Sequence, residues 1–180
     1  FDAGLKRLAR GVERWIAPDY QERIKQVQAQ RNEFGVDPFG FDPDVAKYAM
    51  LLAVALHRHY FRSDVFGIEK IPKGRVLLIG NHSGQLPIDA VCIAAALIVD
   101  ANPARFIRSM VEKWTQTLPF ISELFARCGQ VVGVPENCRK LLESEEAILV
   151  FPEGARGISK TFEHRYQLTE RGRLLTAALR

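Results

Sequence analysis

Cysteine is scarce in this chain of 180 residues, and the three that occur lie at no useful spacing. Cys92, Cys128 and Cys138 form no C-x-x-C pair and no zinc-type set, so neither a disulfide framework nor a cysteine metal site is expected. An odd count, with two of the three inside apolar stretches, reads as reduced, buried thiols in a reducing compartment. A strong excess of one charge is missing too. Lys plus Arg number 25 against 21 Asp plus Glu, a net of +4 with a pI near 9.1. So mild an excess suits an anionic membrane surface or a phosphorylated substrate. The basic residues are scattered and no nucleic-acid motif is recognised, so nucleic acid is not an expected partner. Long hydrophobic runs are absent: the longest uncharged ones, Tyr48 to Leu56 and Ala90 to Val99, reach about half of the ~20 residues a bilayer crossing needs. No secretory leader is expected, since the N-terminus is charged throughout, and the missing Met suggests a fragment or a processed chain. His57 and His59 point to different sides of a helix and lack a completing carboxylate or thiol, so no metal is expected.

What is present is an apolar fraction of 47%, enough for one domain with its own core. Leu5, Leu8, Val12, Trp15 and Ile16 recur at helical spacing, with Lys6, Arg7, Arg10 and Arg14 between them. Such a basic amphipathic helix either packs on the domain with its charges solvated or lies on anionic lipid with Trp15 at the headgroup level. Residues 20–34 are polar and helix-favouring, and 35–44, with two Asp-Pro steps and two glycines, make an ordered turn. A helix should start near Pro43, capped by Asp42, and run to Phe61 through a middle that is apolar on every side, either buried or dipped into lipid. Residues 1–62 therefore read as a helical N-terminal region. From Ser63 the pattern changes. Short β-rich runs (65–68, 76–79, 105–109, 130–134, 147–151) alternate with helical ones (87–99, 112–126 broken near Pro119, 135–144). Residues 63–180 are thus expected to form an α/β domain, its central mixed, largely parallel sheet flanked by helices. Ligands of such folds gather at the carboxyl ends of the strands.

Two of those ends carry chemistry. The run Val76–Ile79 stops at Gly80 and is followed by Asn81-His82-Ser83-Gly84, then by Pro87 and Asp89 at a helix start. The helix dipole keeps Asp89 ionised there. A bend through Ser83-Gly84-Gln85 can fold the imidazole of His82 back onto that carboxylate. A carboxylate on one imidazole nitrogen fixes the tautomer and leaves the other nitrogen as a base. The pair is half of a hydrolytic triad without a nucleophile, a part the hydroxyl of a substrate can take. Ser83 is not that nucleophile, because its turn lacks the G-x-S-x-G elbow. The plainer alternative is a strand-capping His and a helix-starting Asp. At the second end, the run Ala147–Phe151 leads into Pro152-Glu153-Gly154, then Arg156, Gly157, Ser159 and Lys160. A carboxylate, a glycine turn and two cations can make an anion pocket, or simply a charged surface turn.

"NHSGQLPID" together with "FPEGARG" resembles the glycerolipid acyltransferase superfamily, which includes glycerol-3-phosphate and lysophosphatidate acyltransferases. The resemblance covers roughly 65–161 and rests on both motifs in this order on an α/β pattern. It implies a role in phospholipid biosynthesis and lipid metabolism. His82 would be the general base on the acceptor hydroxyl and Asp89 would orient it. The donor would be a thioester of coenzyme A or acyl carrier protein, a co-substrate with no further cofactor. Asn81, Ser83, Gly84, Glu153, Gly154, Arg156 and Lys160 would form the substrate site. The protein would sit peripherally on the cytoplasmic face of a membrane. Three departures mark a divergent branch. Six residues intervene between His82 and Asp89, where four are usual, so the loop must bulge. Val134 and Pro135 stand where an Arg usually contacts acceptor phosphate, which leaves Arg139 or Arg127 as substitutes, or an acceptor without that phosphate. A strand usually follows the Glu-Gly motif, whereas here a helical stretch, "LTERGRLLTAALR", runs to Arg180, so the strand is lost or the chain is cut short. The leading expectation is an O-acyltransferase acting on a glycerolipid or lysophospholipid. A non-catalytic lipid-binding domain and a thioester or ester hydrolase stand as alternatives.

Overall fold

Four of the five expected apolar runs become strands in the computed structural model, which describes residues 11, 14, 16–27, 37–82 and 86–154. They are β1 (Val76–Ile79), β2 (Arg108–Val111), β3 (Val131–Val132) and β4 (Ala147–Val150). Their order is β1-β4-β2-β3, and every pairing among the described strands is parallel. β4 therefore runs between β1 and β2, paired Leu78 to Leu149 and Ser109 to Leu149. A central strand of a parallel sheet is covered on both faces, and all four residues of β4 are buried. Ala147 and Leu149 join a cluster with Leu97 and Ile107 on one face. Ile148 and Val150 join Val131, Cys138 and Leu141 on the other. That is the period of two that a pleated strand requires.

The expected strand at 65–68 does not form. Val65 and Phe66 are exposed, and Gly67 at φ 77° turns the chain into a short 3-10 segment, Ile68–Lys70. The strand expected at 105–109 begins later, at Arg108.

Among the described residues, the helices that accompany the sheet include α1 (Tyr20–Gln26), α2 (Pro43–Ala55), α3 (Ile88–Val99), α4 (Ile121–Arg127) and α5 (Pro135–Glu143). α2 starts where its cap dictates. The Asp42 side chain accepts the N–H groups of Asp44 (2.9 Å) and Val45 (3.3 Å), and Pro43 fills the first turn. After Ala55 the helix widens into a π turn, Leu56–Tyr60. Its apolar middle is split. Ala53 and Val54 pack with Ile16, Ala17 and Tyr20 against Ala95, Ile98 and Val99 of α3, whereas Tyr48 and Leu52 are exposed. The segment before α2 is held by charge. Arg108 of β2 is 1% exposed and donates to the Asp37 carboxylate at 2.8 Å, with its guanidinium over the rings of Phe39 and Phe41. Asp37 in turn accepts the N–H groups of Phe39 and Phe41. Of the expected basic helix, Arg14 is helical and exposed and Ile16 is helical and buried, while Leu5, Lys6, Arg7, Leu8, Arg10, Val12 and Trp15, like the terminal stretch to Arg180, lie outside the described residues.

Candidate active site

A parallel sheet puts all its carboxyl strand ends on one side, and three of those ends meet there. β1 finishes at Ile79. Gly80 still donates its N–H to Val150 of β4 at 3.2 Å, so the chain leaves the sheet beside β4. Two residues on, Nδ1 of His82 lies 2.9 Å from Oδ2 and 3.1 Å from Oδ1 of Asp89. A carboxylate only accepts, so Nδ1 carries a proton, and in the neutral ring Nε2 then holds the lone pair. Asp89 sits in the first turn of α3, and its Oδ1 also accepts the N–H of Ala90 at 2.8 Å. The helix N-terminus thus supplies both a fixed donor and a field that favours the anion. The two side chains are 13% and 17% exposed, enough for contact with a substrate and little enough to hold the pair in place.

The end of β4 lies alongside. The ring of Phe151 stacks on the His82 imidazole, centroids 4.7 Å apart and planes 24° from parallel. The chain then turns, Gly154 donating to the carbonyl of Phe151 at 2.9 Å. Gly154 has φ 52°, and a Cβ there would collide with the Glu112 carboxylate, so the glycine of the Pro-Glu-Gly turn answers to both backbone and space. Glu112 follows β2 directly, as Gly80 follows β1 and Phe151 follows β4. The sequence reading missed it. Its only signal was its place immediately after an apolar strand.

Of the expected site residues, His82, Asp89, Glu153 and Gly154 come to this one side of the sheet, with Asn81 exposed beside His82 and Glu153 half-buried. Ser83, Gly84, Arg156 and Lys160 lie outside the described residues. The two arginines weighed as phosphate contacts are engaged elsewhere. Arg127 pairs with Asp42 at 2.9 Å and Arg139 with Glu136 at 2.8 Å. Neither bonds to the dyad or to the Phe151–Gly154 turn. Burial pushes the thiols of Cys128 and Cys138 up, away from the thiolate a nucleophile needs. A cavity of about 240 Å3 lies between Phe39, β2, β3 and α4, but neither His82 nor Asp89 lines it. The imidazole of His82 and the carboxylate of Asp89 touch outside that cavity.

The model of the family described as Acyltransferase matches residues 62–175, a span that holds both motifs. The chain belongs to the acyltransferase family. An uncharacterized protein of Mycobacterium tuberculosis is 36% identical to this acyltransferase chain over 158 residues, 85% of the chain and 44% of that protein. An uncharacterized protein of Mycobacterium leprae is 34% identical over 149 residues, 81% of the chain and 40% of that protein. A mouse protein described as a DGAT1/2-independent enzyme synthesizing storage lipids is 30% identical over 93 residues, 52% of the chain and 27% of that protein. The chain thus spans less than half the length of these curated relatives. No solved structure matches it. Among the described residues of the acyltransferase chain, no helix is long and apolar enough to cross a membrane.

Proposed function

We propose that this acyltransferase transfers a fatty acyl group from a coenzyme A or acyl carrier protein thioester to the hydroxyl of a glycerolipid or lysophospholipid. One observation carries the reading: Nδ1 of His82 is held by the Asp89 carboxylate, at the carboxyl end of the sheet and against the first residue of the Phe-Pro-Glu-Gly turn. With Nδ1 donating, Nε2 takes the acceptor's proton as its oxygen attacks the thioester carbonyl. The tetrahedral intermediate then expels the thiolate, which recovers that proton from His82, leaving an ester and a free thiol. Asp89 steadies the imidazolium in between. Backbone N–H groups at the start of α3, or Arg156, would hold the oxyanion. Asn81, Ser83, Gly84, Glu153, Gly154 and Lys160 would shape the substrate site. The mouse relative's lipid-synthesising description supports a lipid acceptor. The scheme needs no metal and no cofactor beyond the thioester.

A membrane surface is the proposed working place, and the segment leaving β2 supports it. Between Lys113 and Arg127 the side chains of Trp114, Phe120, Ile121 and Leu124 are all exposed, as is Leu86 near His82. Phe120 is 88% exposed and sits at φ 63°, so neither packing nor backbone ease accounts for an aromatic there. Interfacial side chains on the segment that leaves the carboxyl end of β2 would let the protein meet a lipid surface on the side of the sheet that carries His82.

The deciding experiment measures acceptor-dependent thiol release from an acyl-CoA. His82→Ala should lower it by about 10²- to 10⁴-fold, the usual contribution of a general base, with the far-UV circular dichroism retained. Equal turnover in variant and parent would end the general-base assignment. Thiol release that ignores the acceptor would point to a hydrolase, and vesicle binding with no thiol release to a lipid-binding domain.

A further inference from the structure

His82 is gripped twice, and the second grip has a built-in allowance in the backbone. Asp89 holds the ring edge at Nδ1, which fixes direction but leaves the ring free to roll about that bond. The face of the ring lies on Phe151, centroids 4.7 Å apart at 24°. Two contacts at right angles define the imidazole plane, and with it the line along which the Nε2 lone pair points. Phe151 has room to lie there because position 80 is glycine. A Cβ at Gly80 would stand 3.3 Å from Cε1 of Phe151, tighter than ordinary packing allows. Gly80 is not held at glycine by its backbone angles, since it is absent from the positive-φ positions. The space for the neighbouring ring is the remaining demand. Phe151 also packs against the cluster of Leu97 and Leu149, so its ring is anchored in the core as well as stacked on His82.

We infer that Phe151 is a positioning residue for the reaction, holding the imidazole plane of His82, and that Gly80 is the clearance that lets it do so. The inference rests on the proposed general-base role of His82. Removing the ring leaves Asp89 in contact but lets the imidazole roll. Nε2 is then aimed at the acceptor oxygen for only part of the time. Such a loss falls on the chemical step and not on substrate affinity, because Phe151 reaches the reaction through His82.

The experiment compares steady-state thiol release for Phe151→Leu, Phe151→Tyr, Gly80→Ala and the Gly80→Ala/Phe151→Leu double variant, each with a thermal melt. Phe151→Leu keeps apolar bulk in the core. It should lower kcat by about 2- to 12-fold, the range an aromatic pair is worth, with KM for the thioester unchanged. Phe151→Tyr keeps the stacked face and should restore kcat. Gly80→Ala touches neither side chain covalently, yet should lower kcat by displacing the ring, and should add nothing once the ring is gone. The inference is overturned if Phe151→Leu turns over like the parent, if its loss lies in KM, if tyrosine fails to restore the rate, or if the two substitutions simply add. Should Phe151→Leu not fold, Gly80→Ala with the ring in place decides alone: an unchanged kcat overturns the inference and a lowered one sustains it. His82→Ala separates the two levels. If it alone silences the enzyme while the other variants behave as the parent, the general base stands and the positioning role falls. If His82→Ala keeps its turnover, the base assignment itself has failed.

Discussion

Asp89→Asn asks the most of the site while disturbing the least of the fold. The amide has the same shape, and its oxygen can still accept the N–H of Ala90, now 2.8 Å from Oδ1, so the start of α3 survives. Two things are lost: the charge, and an acceptor facing Nδ1 whichever way the group turns. A hydrogen bond to a charged partner is worth about 1.5–3 kcal/mol. If that worth is felt mainly when His82 becomes an imidazolium, kcat should fall by roughly 10- to 150-fold, since each 1.36 kcal/mol is a factor of ten. Should the amide's NH2 face Nδ1 instead, the imidazole is driven into the wrong tautomer and the loss grows beyond that range, as in triads where the acid becomes an amide. The folded state loses far less. An anion at a helix N-terminus is worth about 0.3–1 kcal/mol, which in a chain of this size lowers Tm by at most about 4 °C. Acceptor-dependent thiol release and a thermal melt on the same samples therefore give a kinetic loss much larger than the stability loss. A kcat within about twofold of the parent at unchanged Tm would refute the orienting role. A Tm collapse that tracks the activity would make Asp89 a helix start and nothing more.

Elsewhere the same physics gives quieter outcomes. Asp37→Ala leaves the guanidinium of Arg108, 1% exposed, without its carboxylate and also strips the acceptor from two backbone N–H groups. Breaking such a pair costs about 3–5 kcal/mol, so Tm should drop by about 6 to 20 °C by circular dichroism, and a drop under about 2 °C would show the pair is dispensable. Phe120→Asp removes an apolar ring that is 88% exposed, so the melt should hardly move, whereas sedimentation with phospholipid vesicles should show binding weakened by about tenfold or more. Equal binding by both forms would take this segment off the membrane face.

The sheet was legible because its chemistry is local. Ala147–Val150 is an unbroken apolar run, as a strand covered on both faces must be, and Asp42-Pro43 announces a helix start that the Asp42 carboxylate then makes. The failures share a cause. Val65–Ile68 has strand-like residues, but a strand exists only if a neighbour pairs with it, and Gly67 at φ 77° turns the chain away. Arg108 begins β2 because a buried cation there is matched by Asp37, far off in sequence, and no local pattern reports such a partner. The same division holds at the site. The meeting of His82 with Asp89 could be read from a short stretch with a glycine bend. The approach of Glu112 to Gly154 and the stacking of Phe151 depend on which strands become neighbours, and the order β1-β4-β2-β3 is not written in any one segment.

The chain holds a second His-Asp pair, and the contrast shows what distinguishes a site from a clasp. Nε2 of His57 lies 2.9 Å from Oδ2 of Asp100, just past the last turn of α3, so one helix carries an imidazole-bound carboxylate at each end. Judged by residue type and distance alone, the pairs are equivalent. Their surroundings are not. α3 links β1 to the parallel β2, so its start lies at the carboxyl ends of the strands and its finish at their amino ends. The dipole favours a carboxylate at the first and opposes one at the second. His57 is 3% exposed and bonds through Nε2, leaving a buried Nδ1 that no substrate can reach. Around it, Arg58 reaches Asp19 and the carbonyl of Val99, and His59 reaches the carbonyl of Ile16, contacts that bind the N-terminal helical segment to α3. At His82 the bonded nitrogen is Nδ1, the ring is partly open, and the acid gains from its position instead of losing by it. The proposed chemistry is therefore assigned to the pair whose ring stays partly open where the strand ends converge, and the other pair spends the same two groups on holding the fold together.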